Sequence, residues 1–149
     1  MQLPVYSLSA TNDDSRYDFV SLGPKGAIAK QIRFALLHGS DVYNLAFGDY
    51  NPETHTLDDQ VISDNGDLEM ILATVAAAAF DFCQYHPGTS IFVVGNTAAR
   101  TRLYRMAIAR YLSDIQTLFE IYGELGDTWE PFQPNRPYTA FFAQPNDYL

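Results

Sequence analysis

Apolar residues recur with a period of two in the first part of the chain and change to helical spacing further on. Residues 17–21 set Tyr17, Phe19 and Ser21 against Asp18 and Val20, the alternation of a half-buried strand. Gly23, Pro24, Lys25 and Gly26 make a turn by composition. Over 27–37 the positions Ile28, Ile32, Phe34 and Leu36 form an apolar face, with Lys30 interrupting it, so the two segments predict a hairpin. A turn at 38–41 leads to a strand over 42–47, a loop over 48–53 and a fourth strand over 57–63. Such short connections predict an antiparallel meander. Residues 1–16 read as an edge strand or a mobile terminus.

Helical spacing begins at Leu68. Leu68, Ile71, Leu72, Val75, Ala78, Ala79 and Phe82 form one stripe over 68–85, with Asp67 at the N-cap position and His86-Pro87-Gly88 as the stop. The continuous apolar run 91–94 predicts an interior strand covered on both faces. A second helix is expected over 98–113, its core side lined by Leu103, Tyr104, Ala107, Ile108, Tyr111 and Leu112. Residues 119–122 read as a strand, and 138–143 as a last strand at the sheet edge, where proline is tolerated. The fold class is therefore α+β: one domain over 1–149, a mixed and mainly antiparallel sheet, with two main helices packed on it.

Composition narrows the function classes. With 47% hydrophobic and 14% aromatic residues, 149 residues suffice for a sizeable core. A formal charge of −9 argues against extended nucleic-acid binding and against lying on an anionic membrane. The lone Cys83 excludes an internal disulfide and reads as a small core residue. No apolar run approaches the ~18 to 20 residues needed to span a bilayer, and the first residues lack the basic and apolar regions of a secretory signal. The expected location is cytoplasmic, with no membrane partner.

Candidate chemistry concentrates in residues 90–111. Four of the nine Lys and Arg residues, Arg100, Arg102, Arg105 and Arg110, fall there without an intervening acid. A strand, the turn Gly95-Asn96-Thr97 and a helix start together make an anion site, because the first helical N–H groups lack intrahelical partners. Thr97 or Asn96 can cap. Arg100 falls on the core side with Tyr104, so its long side chain must run over the end of strand 91–94. Arg102 faces outward. The structural alternative is that these arginines balance the eighteen carboxylates. Asn44 in an otherwise apolar strand needs hydrogen-bond partners or faces a site, and Asp49 follows closely; both join the candidate ligand set.

The acids Asp49, Asp58, Asp59, Asp64 and Asp67 stand at strand ends and turns. They could hold Mg²⁺ or work as an acid/base pair, and they serve equally as turn formers and a helix cap. No metal is assigned. His38, His55 and His86 occupy separate turns without ligand spacing. The full GxxxxGK[ST] phosphate loop is absent, and no motif names a cofactor.

The segments NLAFGD at 44–49, NGD at 65–67, LATV at 72–75 and ARTRLY at 99–104 resemble a family of short bacterial proteins, common in Bacteroidota, of unknown function (DUF6934). The resemblance spans residues 17–142. It implies relatives without implying an activity. That family often carries Gly-Ser-Thr where this chain has Gly95-Asn96-Thr97. The element order and the residues Asn96, Ala99, Leu103 and Tyr104 are also similar to GNAT-type acetyltransferases, with the spacing displaced by one. There the pyrophosphate loop would fall at 63–67, where Asp64 and Asp67 repel it.

Three readings follow. The first is a small anionic ligand, such as a nucleotide, phosphate ester or RNA end, bound at 95–102. The second is an interaction module of a toxin–antitoxin or phage-defence pair, whose aromatic tail over 129–142 would suit a homodimer equally well. The third is an enzyme, either a nuclease or a GNAT-like acyltransferase.

Overall fold

A computed structural model describes residues 4–11, 15–59 and 64–146. In chain order the elements are β1 (Ser9–Ala10), β2 (Arg16–Gly23), β3 (Gly26–Leu36), β4 (Val42–Asn51), β5 (Thr56–Asp58), α1 (Leu68–Tyr85), β6 (Ser90–Val93), α2 (Ala98–Arg110), α3 (Leu112–Ile115), β7 (Phe119–Leu125), β8 (Thr128–Pro131) and β9 (Phe141–Pro145). The described strands form one mixed sheet in the order β1-β2-β3-β4-β6-β9-β7-β8, with β5 attached to β4. This is an α+β architecture that begins with an antiparallel meander.

The hairpin of β2 and β3 closes on Gly23↔Gly26, with Gly26 at φ +93, a conformation open to glycine. Its inward row of Tyr17, Phe19, Ile32 and Phe34 is buried, as the alternation predicts. β4 pairs with β6 in parallel, and a parallel pair needs a crossover, which α1 supplies. Phe82 of α1 stacks on Phe34 at 4.2 Å and meets the Tyr43 ring at 4.8 Å, fastening the helix to β3 and β4. A second cluster of Phe132, Tyr138 and Phe141 packs with Tyr104, Ile108 and Leu112 along α2 and α3. Both long helices therefore lie on the sheet face that carries Leu45, Ile91, Val93 and Ile121.

Several expectations need correction. β4 continues through Gly48, Asp49 and Tyr50, read above as a loop, because β3 and β5 both offer it partners. Gly48 belongs in that strand: a Cβ there would lie 2.2 Å from the Asp58 carbonyl oxygen. The strand expected over 57–63 is seen only as β5, and residues 60–63 lie outside the described part. β9 is interior, between β6 and β7, whereas a last strand was expected at the edge. The edge is β8, where Pro131 costs no ladder bond. β6 is covered by helices on one face only. The second helix breaks at Tyr111 into α2 and α3.

Residues 9–10 do form an edge strand, and Tyr6 before them is tied down. The Tyr6 N–H donates to Thr74 Oγ1 at 2.8 Å, and its ring stacks on Phe19 at 5.6 Å. At 18 residues and a mean hydropathy of 1.3, α1 is long and apolar enough to cross a membrane. This corrects the expectation that no apolar run approaches that length: Glu69 and Asp81 interrupt the stretch, yet the other residues keep its mean hydropathy high. In this fold α1 buries Ile71, Ala78 and Phe82 against the sheet, and Asp81 accepts a hydrogen bond from the Tyr17 hydroxyl at 2.7 Å.

Candidate functional site

The parallel ladder of β4 and β6 ends at Leu45↔Val93. Beyond it β4 continues toward β5, while the other chain turns at Gly95 into α2. Between α1, α2 and the sheet lies a cavity of about 430 Å³. Leu72, Val75 and Ala76 of α1 and Leu103, Ala107 and Ile108 of α2 line it. Ala76 and Ala79 on one helix and Ala107 on the other leave space that larger side chains would fill. The floor is apolar sheet, including Leu45, Ile91 and Val93.

One end of this cavity is polar. It carries Lys30, Asp64, Asn65, Asp67 and Arg100. It also lies at the carboxyl ends of the parallel strands β4 and β6, where α1 and α2 both begin, so both helix N-termini bring partial positive charge to it.

Arg100 is 4% exposed. Its Nη2 donates to the Phe47 carbonyl oxygen at 2.7 Å and to the Tyr104 hydroxyl at 2.7 Å. The guanidinium also lies over the Phe47 and Tyr104 rings, 5.6 and 5.5 Å from their centroids. The sequence dictates this arrangement, since four residues separate Arg100 from Tyr104 on one helix face. β6 has ended by this level, and the guanidinium satisfies the carbonyl that a longer strand would have taken.

Lys30 is 3% exposed and pairs with Asp49 at 2.5 Å, its register partner on β4. Its Nζ lies 5.8 Å from the same Phe47 ring. Two buried cations thus bear on one aromatic ring. Asp67 stands at the N-cap position, yet its side chain does not cap α1. Its Oδ2 instead accepts from Tyr6 at 2.5 Å and Ser21 at 2.6 Å, while its buried Oδ1 takes no hydrogen bond among the described residues. Burial and this carboxylate push the Tyr6 phenol above its ordinary range. Asn65, 2% exposed, donates to Ser21 Oγ and the Gly26 carbonyl and accepts from the Lys25 N–H, holding the loop before α1 on the hairpin.

The structure separates the expected ligand set. Arg100 and Tyr104 line the cavity. Thr97 caps α2, its Oγ1 accepting from the Arg100 N–H at 3.1 Å. Asn96 and Arg102 are exposed on the outside. Gly95 donates to Thr101 Oγ1 at 3.0 Å, and a Cβ there would lie 2.4 Å from the Thr101 nitrogen, so the turn is closed on itself. Asn44 pairs with Phe92 on the sheet face away from the helices. Asp49 reaches the polar end through Lys30. Among the acids, Asp64 and Asp67 line the cavity, whereas Asp58 and Asp59 lie beside Gly48. No group of three metal-ligating side chains stands together among the described residues. Lys30 and Phe47 are additions to the sequence-derived set; the signal for Lys30 was a lysine inside an otherwise apolar row.

A model of one protein family, a family of unknown function (DUF6934), matches residues 2–146. The chain belongs to that family. Neither a curated protein nor a solved structure matches it.

Proposed function

We propose that this DUF6934 protein binds a small amphiphilic anion, a carboxylate with a hydrocarbon body, in the cavity between α1 and α2. One observation carries the reading: an apolar cavity of about 430 Å³ whose cationic lining residues, Lys30 and Arg100, stand together at one end. That volume lies in the ordinary range of small-molecule sites. The hydrocarbon body occupies the alanine-lined space, and the head group meets the two cations and the helix N-termini.

The same surroundings narrow the anion. A nucleotide or an RNA end would bring base and sugar groups into walls that offer few hydrogen-bonding partners, at a cost of about 1–3 kcal/mol for each group left unpaired. Asp49 pairs with Lys30, and Asp64 and Asp67 line the same cavity, so a second negative charge on a phosphate would be repelled. A single carboxylate fits best.

Native mass spectrometry with straight-chain carboxylic acids tests the reading. The expected result is a one-to-one complex that Ala76→Phe, which fills the cavity, abolishes while the protein stays folded. The reading fails if no acid is retained, or if Ala76→Phe binds as the unaltered chain does.

A further inference from the structure

The sheet face turned away from the helices carries an aromatic band. Register pairs align Ala35, Asn44, Phe92, Phe142, Tyr122 and Pro131 across β3, β4, β6, β9, β7 and β8. Phe92 and Phe142 each meet Trp129 edge to face, at 6.2 and 6.0 Å, and Tyr122 lies 6.3 Å from Phe142. Trp129 remains 42% exposed, and Phe92, Tyr122 and Phe142 are half-buried. No described helix covers these rings.

Charge flanks the band asymmetrically. Two residues along β3 from Ala35 stands Arg33, whose register partner is the exposed Arg16. Two residues along β7 from Tyr122, in the same direction, stands Glu124. The neighbouring Asp18 accepts from Gln31 at 2.7 Å, and Gln31 in turn accepts from Arg33 Nε, so the two arginines outnumber one acid there. One end of the row is therefore basic and the other acidic, with aromatic rings between.

We propose that a second copy of this chain docks face to face on this surface, about a two-fold axis running along the strands near β6. Such an axis exchanges the two ends of the row. It sets Arg33 of each copy against Glu124 of the other, twice, places Arg16 one strand further out opposite Trp129, and stacks the aromatic bands between them. An isologous interface requires a patch complementary to itself, and opposite charge at the two ends of one row meets that requirement. Aromatic residues at the centre and polar residues at the rim match the usual anatomy of protein interfaces. Sheets packed face to face lie about 10 Å apart, close enough for the rings to interdigitate. The two ion pairs act against the general repulsion between chains of charge −9.

Sedimentation equilibrium is the test, with circular dichroism to confirm that each variant is folded. The expected species has twice the chain mass of 16.7 kDa. Trp129→Glu should give a monomer. Arg33→Glu and Glu124→Arg should each weaken the dimer about tenfold, as like charges meet, and the combined swap should recover most of the loss. A monomer at every concentration would overturn the proposal, as would a swap no tighter than its single variants. Neither outcome bears on the ligand cavity, which opens on the opposite face.

Discussion

Nη2 of Arg100 lies 2.7 Å from the carbonyl oxygen of Phe47, so a charged side chain completes the backbone pairing of a strand whose neighbour has ended. This makes Arg100 part of the wall as well as the cation of the cavity. Arg100→Ala would leave that carbonyl and the Tyr104 hydroxyl without the guanidinium and enlarge the void. The expected cost is about 3 kcal/mol, in the range for breaking a buried hydrogen-bonded charge. For a chain of this size that lowers Tm by about 10 °C. Thermal unfolding followed by circular dichroism reads it; a change within a degree or two would mean that the contact is incidental.

Gly123 offers a sharper packing test. A Cβ at this position would lie 2.4 Å from the Tyr138 ring, which covers the strand there and is fully buried. The ring belongs to a rigid cluster with Phe132 at 5.1 Å, and its hydroxyl donates to Glu130 at 2.7 Å, so it has little room to yield. Gly123→Ala is expected to cost about 2 kcal/mol through overpacking. The urea midpoint should fall with an unchanged slope. Stabilisation, as expected for alanine in an open strand, would contradict the packing described here.

The two tyrosines also set an alkaline limit. Burial first, and then a carboxylate partner, raise the phenol of Tyr6 beside Asp67 and that of Tyr138 beside Glu130 above the ordinary value of 10.0. The unfolded chain releases these protons first as pH rises. Their contribution to stability is therefore fully present below about pH 10 and is lost as the pH climbs through the folded values. Urea midpoints measured on either side of pH 10 should fall with pH, and the fall should be shallower in Tyr138→Phe. An equal slope in both proteins would remove Tyr138 as a cause.

Much of this was legible in the residues. The alternation of Tyr17, Phe19, Ile32 and Phe34 marked the inward row of the first hairpin, and the stripe from Leu68 to Phe82 marked α1 with its observed bounds. The helical wheel placed Arg100 beside Tyr104, where it lies. What stayed hidden depends on pairing between distant segments. Nothing local to 141–145 distinguishes an interior strand from an edge, so β9 was misplaced. The run of alanines was legible as a helix lying close to a sheet. That it leaves a cavity depends on Ala76 and Ala107 lining one space, which only the placement of α1 and α2 on the sheet decides. Lys30 was visible as an interruption, but its burial required Asp49 as a partner across the ladder.

The most direct test of the central claim compares thermal shifts given by straight-chain carboxylic acids and by the alcohols of matching length. Each buried methylene contributes about 0.8 kcal/mol, or roughly a factor of four in affinity. The shift should therefore grow with chain length until the cavity is full and then decline, with every acid above its alcohol because of Lys30 and Arg100. The absence of a shift at any length, or acids and alcohols that act alike throughout, would contradict an amphiphile site between α1 and α2.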